Sequence, residues 1–120
     1  MNDDDAVRLN HMIGYCELAL GFVVGQQRHQ LDSNKMLELA VVRAIEIVGE
    51  AASKISAEAQ AKHPDIPWRA IIGMRNRLVH AYFDINTEVV WQTITVELPA
   101  LLPKLQAIAV NQLAPQRSGS

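Results

Sequence analysis

The spacing of the apolar residues is the feature of this sequence that most limits its possible folds. Between residues 3 and 110, the apolar residues recur mainly at steps of three and four, the period of an amphipathic helix. No segment alternates cleanly between apolar and polar residues, and no Asn-Gly or Asp-Gly pair marks a tight hairpin. We therefore predict an all-α fold, an antiparallel (up-down) helical bundle of roughly four to five helices.

Capping residues predict where the first two main helices begin and end. A first helix is predicted from Asp3 to about Gly25, and the longest helix from Lys35 to about Ile55. Three aspartates open the first helix, where the helix dipole favours negative charge. The longest helix has three candidate N-caps: Asp32, Ser33 and Asn34.

Prolines set the limits of the remaining helices. After a short helical turn, Pro67 is predicted as the first residue of a third main helix that runs to about Val79. The segment "YFDINTE" is predicted to be a turn, with Asn86 as the cap of a fourth helix. Pro99 is expected to kink or divide that helix, and Pro103 is a second candidate for the same effect.

Length and composition favour one globular domain. The chain has 120 residues, of which 49% are apolar and 20% charged, and this suffices for one ordinary core. We assign residues 1–113 to a single helical domain and residues 114–120, "APQRSGS", to a flexible C-terminal tail. The one cysteine, Cys16, cannot form an internal disulfide and is predicted to be a buried structural thiol.

Several classes of motif are absent from the sequence. It contains no Gly-rich phosphate loop, no Cys/His zinc spacing and no serine-nucleophile elbow, so we expect neither a cofactor nor a metal. The start, "MNDDDAVR", is acidic where a secretory signal would be basic. The segment "LALGFVVG" is far shorter than the roughly 20 apolar residues that cross a bilayer. We therefore expect a cytoplasmic protein without a membrane partner.

The charge of the chain limits how it could contact nucleic acid. Because the formal net charge is -2, such a contact would depend on a local basic patch. The stretch 62–80 offers one, since it carries four Lys or Arg residues and a single acid. Two of its arginines begin the segment "RNRLVHAYF", residues 75–83, which places polar and aromatic residues in a stretch that otherwise resembles core.

The geometry of a helix restricts how this segment could form a site. On an ideal helix, Arg75 and His80 point about 140° apart, whereas Asn76 and His80 share a face. These groups converge only if the helix ends before His80 or if a second copy of the chain completes the site. Arg75 and Arg77 are then either solvated cations at a helix C-terminus that His80 caps, or parts of a catalytic site. In that site His80 would be the general acid or base, and Arg75 would stabilise phosphate charge, a pair that can cleave RNA without a metal.

Two further polar features leave alternatives open. Arg43, Glu46 and Glu50 fall on one stripe of the longest helix, where they form either a surface ion-pair ladder or a support for the motif. As a support, one of the carboxylates would hold Arg75 or orient the histidine. Tyr82 follows the histidine by two residues and is either a buried tyrosine or a hydroxyl whose modification would block the site.

The residues also resemble a known family. "RNRLVHAY" matches the Arg-x4-His-x-Tyr motif of the HepT-like group within the HEPN superfamily. The blocks "VRAIEIVGEAASKIS", "HPDIPWRAIIGMRN" and "YFDINTEVVWQTITVELPALL" are similar to flanking blocks of that group in the same order, so the resemblance covers most of residues 5–105. It implies a helical-bundle HEPN fold and a homodimer with the motif near the subunit interface. It also implies a metal-independent endoribonuclease, the toxin of a type VII toxin-antitoxin pair.

The resemblance assigns roles to individual residues. It implies that Arg75 and His80 are catalytic and that Asn76 supports them. We also assign a supporting or substrate-binding role to Arg77, together with Arg43, Glu46 and Glu50. RNA is the implied substrate. The implied partner is a minimal nucleotidyltransferase, the MntA-like antitoxin, which transfers AMP from ATP to the tyrosine of the motif, Tyr82. The alternative function is a non-catalytic helical dimer that acts as a binding or regulatory partner of such a transferase.

Overall fold

The computed structural model describes residues 1–81 and 84–113, and at His80, Ala81 and Leu113 it describes the backbone. This part of the chain contains eight α-helices, one π-helical segment and two short strands. In chain order they are α1 (Asp3–Phe22), α2 (His29–Ser33), α3 (Lys35–Lys54), α4 (Ala57–Lys62), α5 (Trp68–Ile72), α6 (Met74–Leu78), β1 (Val79–Ala81), β2 (Asp84–Ile85), α7 (Thr87–Gln92), the π segment (Thr93–Glu97) and α8 (Leu98–Leu113). The all-α class is confirmed, although the helices are shorter and more numerous than expected. The predicted tail, residues 114–120, lies outside the described residues.

Three long helices, α1, α3 and α8, supply most of the core. Helix α1 lies against both α3 and α8, while α5 and α6 pack on α3. The buried positions follow the three- and four-residue steps of the sequence, which confirms the helical periodicity. Fully burying one such side chain stabilises the fold by about 1.5–3 kcal/mol. The core includes Leu9, Met12, Cys16, Val41, Ile45, Val48, Leu98, Leu101, Leu105 and Ile108.

Polar side chains cap the helices where the sequence suggests. The side chain of Asn34 accepts a hydrogen bond from the N–H of Leu37 at 3.1 Å, so Asn34 is the N-cap among the three candidates. Asn86 caps α7 in the same way through the N–H of Val89, at 3.2 Å, which confirms that prediction. Ser56 caps α4. Each of these caps contributes about 1 kcal/mol to stability.

The predicted third main helix is not continuous, and this expectation was wrong. The segment is divided at Gly73 into α5 and α6, and Pro67 precedes α5 as its N-cap residue. Helix α5 lies very close to α3: a Cβ added at Gly49 would stand only 2.9 Å from the carbonyl oxygen of Ile71. The absence of a side chain at Gly49 therefore lets the two backbones approach, a contact that apolar spacing does not predict.

A short hairpin replaces the predicted turn between the third and fourth helices. Strand β1 pairs antiparallel with β2, and Val79 lies opposite Ile85. The N–H of Asn86 then donates to the carbonyl of Leu78 at 2.7 Å, which joins the end of α6 to the start of α7. Strands of three and two residues are too short for period-two alternation to appear in the sequence. Residues 82 and 83 lie outside the described residues.

The last helical run is interrupted before Pro99 rather than at it. In the π segment the N–H of Leu98 reaches back to the carbonyl of Thr93, a bond one residue longer than in an α-helix. Pro99 has no N–H, so it cannot donate the α-helical hydrogen bond to the carbonyl of Thr95. Pro103 lies inside α8 without dividing it. The interruption was thus predicted in the right region, but its position and its π form were not.

The same run meets the length and composition of a membrane span. Over Thr87–Gln112, the most apolar 18-residue window has a mean hydropathy of 1.2. A third of that window is buried inside the fold. Such a helix is weak evidence for a membrane segment, because core helices of ordinary globular domains satisfy the same two criteria.

Candidate functional site

Helix α6 presents the polar residues of the motif at the surface. Met74 and Leu78 are buried, and the helix packs on α3 and α7. On an ideal helix both residues point about 160° away from Asn76, so Asn76 projects outward. Arg75 and Arg77 flank it on opposite sides, and all three polar side chains are exposed. Two apolar anchors four residues apart therefore fix a short helix whose outer face is entirely polar.

A carboxylate of the long helix α3 holds Arg75. The Nε of Arg75 donates a hydrogen bond to Oε2 of Glu46 at 2.5 Å. The Glu46 side chain is only 16% exposed, whereas that of Arg75 is 52% exposed. Because this contact uses the Nε–H, the Nη groups of the guanidinium retain the donors that bind a phosphate. For Glu46, the geometry thus matches the interpretation in which the α3 stripe supports the motif.

A second carboxylate holds Arg77 from the other side of α6. Its Nη2 donates to Oε1 of Glu97 at 3.1 Å and its Nη1 to Oε2 at 3.4 Å, so the contact is bidentate. The two side chains are 44% and 34% exposed. Glu97 was not among the residues expected at this site. The two residues are 20 positions apart on different elements, so helical spacing could not connect them.

The chain leaves the helical conformation just before the histidine of the motif. Helix α6 ends at Leu78, and the N–H of Val79 donates to the carbonyl of Arg75. The backbone of His80 belongs to strand β1. Convergence of Arg75 and His80 required either a helix end before His80 or a second copy of the chain. The first of these conditions is met, since α6 ends at Leu78. The expectation that Asn76 and His80 share a helix face does not hold for the same reason. The side chain of His80, and Tyr82 as a whole, lie outside the described residues.

The polar stripe on α3 does not act as one unit. Arg43 Nη1 lies 3.5 Å from Oε1 of Glu50, and both side chains are more than 60% exposed. This contact is a surface ion pair, which contributes roughly 0–1 kcal/mol. Glu46 instead turns to Arg75 on α6. The ladder interpretation therefore describes the outer pair, and the support interpretation describes Glu46.

The basic patch expected from the sequence is largely balanced by acids from other elements. Lys62 Nζ lies 3.7 Å from Oε1 of Glu58, and both motif arginines are paired as described above. Among the residues that the structure describes, Arg69 has no carboxylate within 4 Å. Sequence counting overestimates the local field because it omits the acids that the fold brings to the patch.

Two titratable groups away from the motif have shifted pKa values. Burial raises the pKa of the Cys16 thiol to about 12, and the negative charge of Glu17 adds to this rise. Cys16 is fully buried, which confirms the predicted structural thiol. Burial also acts to raise the pKa of Asp5. Hydrogen bonds from Ser56 and from the backbone of Asn2 outweigh this effect, so the pKa of Asp5 is lowered. Within the described ranges, no three His, Cys, Asp or Glu side chains are grouped as they would be to hold a metal ion.

The fold and the site together define a class of protein. It is a helical bundle in which a short helix carries an Arg-Asn pair and a histidine follows in the next strand. The profile of the HepT-like ribonuclease family matches residues 12–108 of the chain. The protein therefore belongs to this family, and its all-α, HEPN-like fold agrees with that membership.

Three proteins similar to this chain carry ribonuclease names. It is 36% identical over 100 residues to "Putative RNase TTE0752" of Caldanaerobacter subterraneus, which covers 83% of this chain and 89% of that protein. It is 40% identical over 75 residues to "Probable ribonuclease HepT" of Thermococcus cleftensis, covering 62% and 68% of the two chains. It is 32% identical over 100 residues to "Putative RNase MJ1216" of Methanocaldococcus jannaschii, covering 83% of each. No solved structure matches the chain significantly.

Proposed function

We propose that the protein is a metal-independent endoribonuclease and the toxin of a HepT/MntA-type (type VII) toxin-antitoxin pair. The observation that carries the proposal is the exposed Arg75 of the motif, which a carboxylate from α3 holds on the short helix α6. This helix ends at Leu78, two residues before His80. Membership of a ribonuclease family adds RNA as the substrate class. A fixed cation and a general acid or base are two groups that promote phosphoryl transfer.

The proposed reaction uses the RNA's own 2'-hydroxyl as the nucleophile. His80 removes the proton from that hydroxyl, and the 2'-oxygen forms a bond to the adjacent phosphorus. The bond from phosphorus to the 5'-oxygen breaks, and this oxygen takes a proton from the imidazolium. The products are a 2',3'-cyclic phosphate and a 5'-hydroxyl end. Arg75 stabilises the charge on the phosphorus oxygens in the transition state, and Asn76, on the same exposed face of α6, supports it.

Neutralisation of the toxin is proposed to occur by AMP transfer to Tyr82. A MntA-like nucleotidyltransferase would join the α-phosphate of ATP to the phenolic oxygen, with pyrophosphate as the leaving group. The product carries a negative phosphodiester and a bulky nucleoside two residues from His80. The added charge repels an RNA phosphate and the nucleoside occupies its place. We further propose that the protein acts in the cytoplasm, where RNA is available, and that it forms a homodimer with the motifs near the interface.

The experiment that tests the proposal is cleavage of a mixed tRNA and mRNA substrate by the purified protein in excess EDTA. His80→Ala is assayed beside the wild type, with equal fold and dimer content checked by circular dichroism and gel filtration. We expect cleavage by the wild type and a loss of roughly 10²- to 10⁴-fold in the variant. Equal cleavage by both proteins would remove His80 from the mechanism. Absence of cleavage by both, with Tyr82 unmodified by mass spectrometry, would favour a non-catalytic partner of the transferase.

A further inference from the structure

The two arginines of α6 are held by carboxylates in different environments. Glu46, which holds Arg75, is 16% exposed, whereas Glu97, which holds Arg77, is 34% exposed. The contact of Glu97 is bidentate but long, at 3.1 and 3.4 Å. A solvent-exposed ion pair of this kind is worth roughly 0–1 kcal/mol, so its partners separate readily. Of the two pairs, the one between Arg77 and Glu97 is therefore the one that another anion can open.

An RNA phosphate is the kind of anion that competes for this arginine. Phosphate and carboxylate both accept two parallel hydrogen bonds from a guanidinium, so each can occupy the same donors. Arg75 and Arg77 are exposed on the same five-residue helix, so a strand with one phosphate at Arg75 brings its neighbouring phosphates close to α6. Arg77, which is exposed and two residues away, is the cation that these phosphates meet.

A small, mostly apolar cleft lies beside Glu97. It has a volume of about 260 Å³ and is lined by Pro67, Val96, Ala100 and Leu101, with Glu97 and Lys104 as its charged members. The Nζ of Lys104 donates to the carbonyl of Asp65 at 3.2 Å, and no carboxylate neutralises it among the described residues. Glu97 and Lys104 thus line the same cleft, and Glu97 is paired with Arg77.

We propose that Glu97 is an internal competitor of the RNA phosphate at Arg77. In the free protein Glu97 is hydrogen-bonded to the guanidinium of Arg77. In the complex, a phosphate next to the scissile one replaces Glu97, while Glu46 continues to hold Arg75. This inference rests on the proposed function, because it takes RNA as the ligand. The consequence is a preference for longer RNA. Any ligand must displace Glu97 to bind Arg77, so a ligand with a single phosphate gains less binding free energy than a longer strand that also reaches Lys104.

The test measures RNA binding without cleavage. The probe is a fluorescent single-stranded oligoribonucleotide with 2'-O-methyl groups, titrated by anisotropy at several salt concentrations. Glu97→Gln removes the competing charge and is expected to lower the Kd about two- to fivefold. Arg77→Gln removes the phosphate contact, and we expect a Kd about two- to tenfold higher and a salt slope smaller by about 0.7.

A matched control separates this effect from a change in net charge. Glu58→Gln removes one negative charge from another exposed acid that pairs with a cation, Lys62, on α4. It is expected to change the Kd far less than Glu97→Gln does. In an Arg77→Gln background, the further change Glu97→Gln should lower the Kd no more than Glu58→Gln lowers it in the wild type. The reason is that Glu97 acts on RNA binding through Arg77. Thermal unfolding of each variant verifies that the fold is retained.

Three outcomes would overturn the inference. They are weaker binding by Glu97→Gln, tightening no greater than that of Glu58→Gln, and equal tightening with and without Arg77. Wild-type protein that fails to bind the probe would contradict both this inference and RNA as the substrate. Wild-type protein that binds and cleaves natural RNA, with no tightening by Glu97→Gln, would contradict the inference alone.

Discussion

Glu46 and Arg75 are 29 residues apart in the sequence and form an ion pair between helices α3 and α6. Helix α3 is a long core helix, and α6 is a five-residue helix anchored by two apolar side chains. The pair therefore fixes the arginine of the motif to the most extensively packed part of the fold. A charge that is held before the substrate arrives needs little reorganisation during the reaction, which is how electrostatic catalysis gains its effect.

Removal of the Glu46 carboxylate is expected to slow RNA cleavage without abolishing RNA binding. In Glu46→Gln, Arg75 keeps its charge but loses its fixed orientation, so kcat should fall about 10- to 100-fold, in the range of other groups that orient a site. KM should change less, because Arg77 and Arg69 still attract the strand. Steady-state initial rates at several RNA concentrations provide both constants.

A matched variant and a spectroscopic signal control this prediction. Glu58→Gln has the same change of charge and lies on α4, so its kcat should stay close to that of the wild type. The NMR signal of the Arg75 Nε–H should shift in Glu46→Gln and not in Glu58→Gln. A kcat unchanged in Glu46→Gln, with that signal shifted, would show that the orientation of Arg75 does not limit the reaction.

Co-expression with the cognate nucleotidyltransferase is expected to add the mass of AMP to the peptide that contains Tyr82. The phenolic oxygen is the proposed acceptor, so Tyr82→Phe should prevent the addition and leave the toxin active in the presence of its partner. Peptide mass spectrometry and growth of the expressing cells measure the two effects. A transferase variant without activity is the control. An unmodified peptide in a complex that consumes ATP would contradict this role of Tyr82.

The elements that could be predicted from the sequence are those with long periodic patterns. Helices α1 and α3 begin at the predicted residues, because apolar steps of three and four and a polar cap coincide there. From the sequence, Glu46 could belong either to a surface ion-pair ladder on α3 or to a support for Arg75, because helical spacing relates residues on one helix only. The choice between them depended on how α6 is placed against α3, which the sequence pattern does not contain.

The features that could not be predicted depend on close contacts between distant segments. The division of the third helix accompanies a tight approach of α5 to α3 at Gly49, and a lone glycine in a helix gives no indication of its neighbour. Strands β1 and β2 are too short for a periodic signal. Glu97 was missed because it lies on a different element from Arg77, 20 positions along the chain, and helical spacing relates residues of one helix only.

The carboxylate of Asp5 is expected to make the stability of the protein fall in acid. Asp5 is 3% exposed and accepts hydrogen bonds from the N–H and the hydroxyl of Ser56, at 2.8 and 2.7 Å. Although burial acts against the charged form, these bonds outweigh it, so the pKa of Asp5 is lower in the folded state than the usual value of 3.8. Its contribution is therefore complete above the unfolded pKa and is lost as pH falls through the folded pKa.

Substitution of this residue provides the measurement. Asp5→Asn should destabilise the protein by about 1.5–3 kcal/mol near neutral pH, because the charged acceptor of both Ser56 hydrogen bonds is replaced by a neutral amide with one acceptor oxygen. Urea unfolding from about pH 7 to about pH 3 should show the difference between wild type and variant shrinking below about pH 4. A difference that stays constant with pH would show that the charge of Asp5 is not responsible.

The last prediction concerns the close contact of α3 with α5. A Cβ at Gly49 would meet the carbonyl oxygen of Ile71 at 2.9 Å, and because this atom is backbone, α5 must move for the methyl group to fit. Gly49→Ala gains about 1 kcal/mol in helix propensity, but overpacking costs about 1–3 kcal/mol, so we expect net destabilisation. Because α6 follows α5 directly, Arg75 should also move relative to Glu46, and RNA cleavage should fall.

Gly14 offers the matched control, because a Cβ there has no heavy atom within 4 Å and the residue lies inside α1. Gly14→Ala should therefore stabilise the protein by about 0.5–1 kcal/mol and leave cleavage unchanged. Urea unfolding and the EDTA cleavage assay on both variants compare one substitution at a tight and an open position. If Gly49→Ala were as stable and as active as Gly14→Ala, the approach of α5 to α3 could not be what positions Arg75.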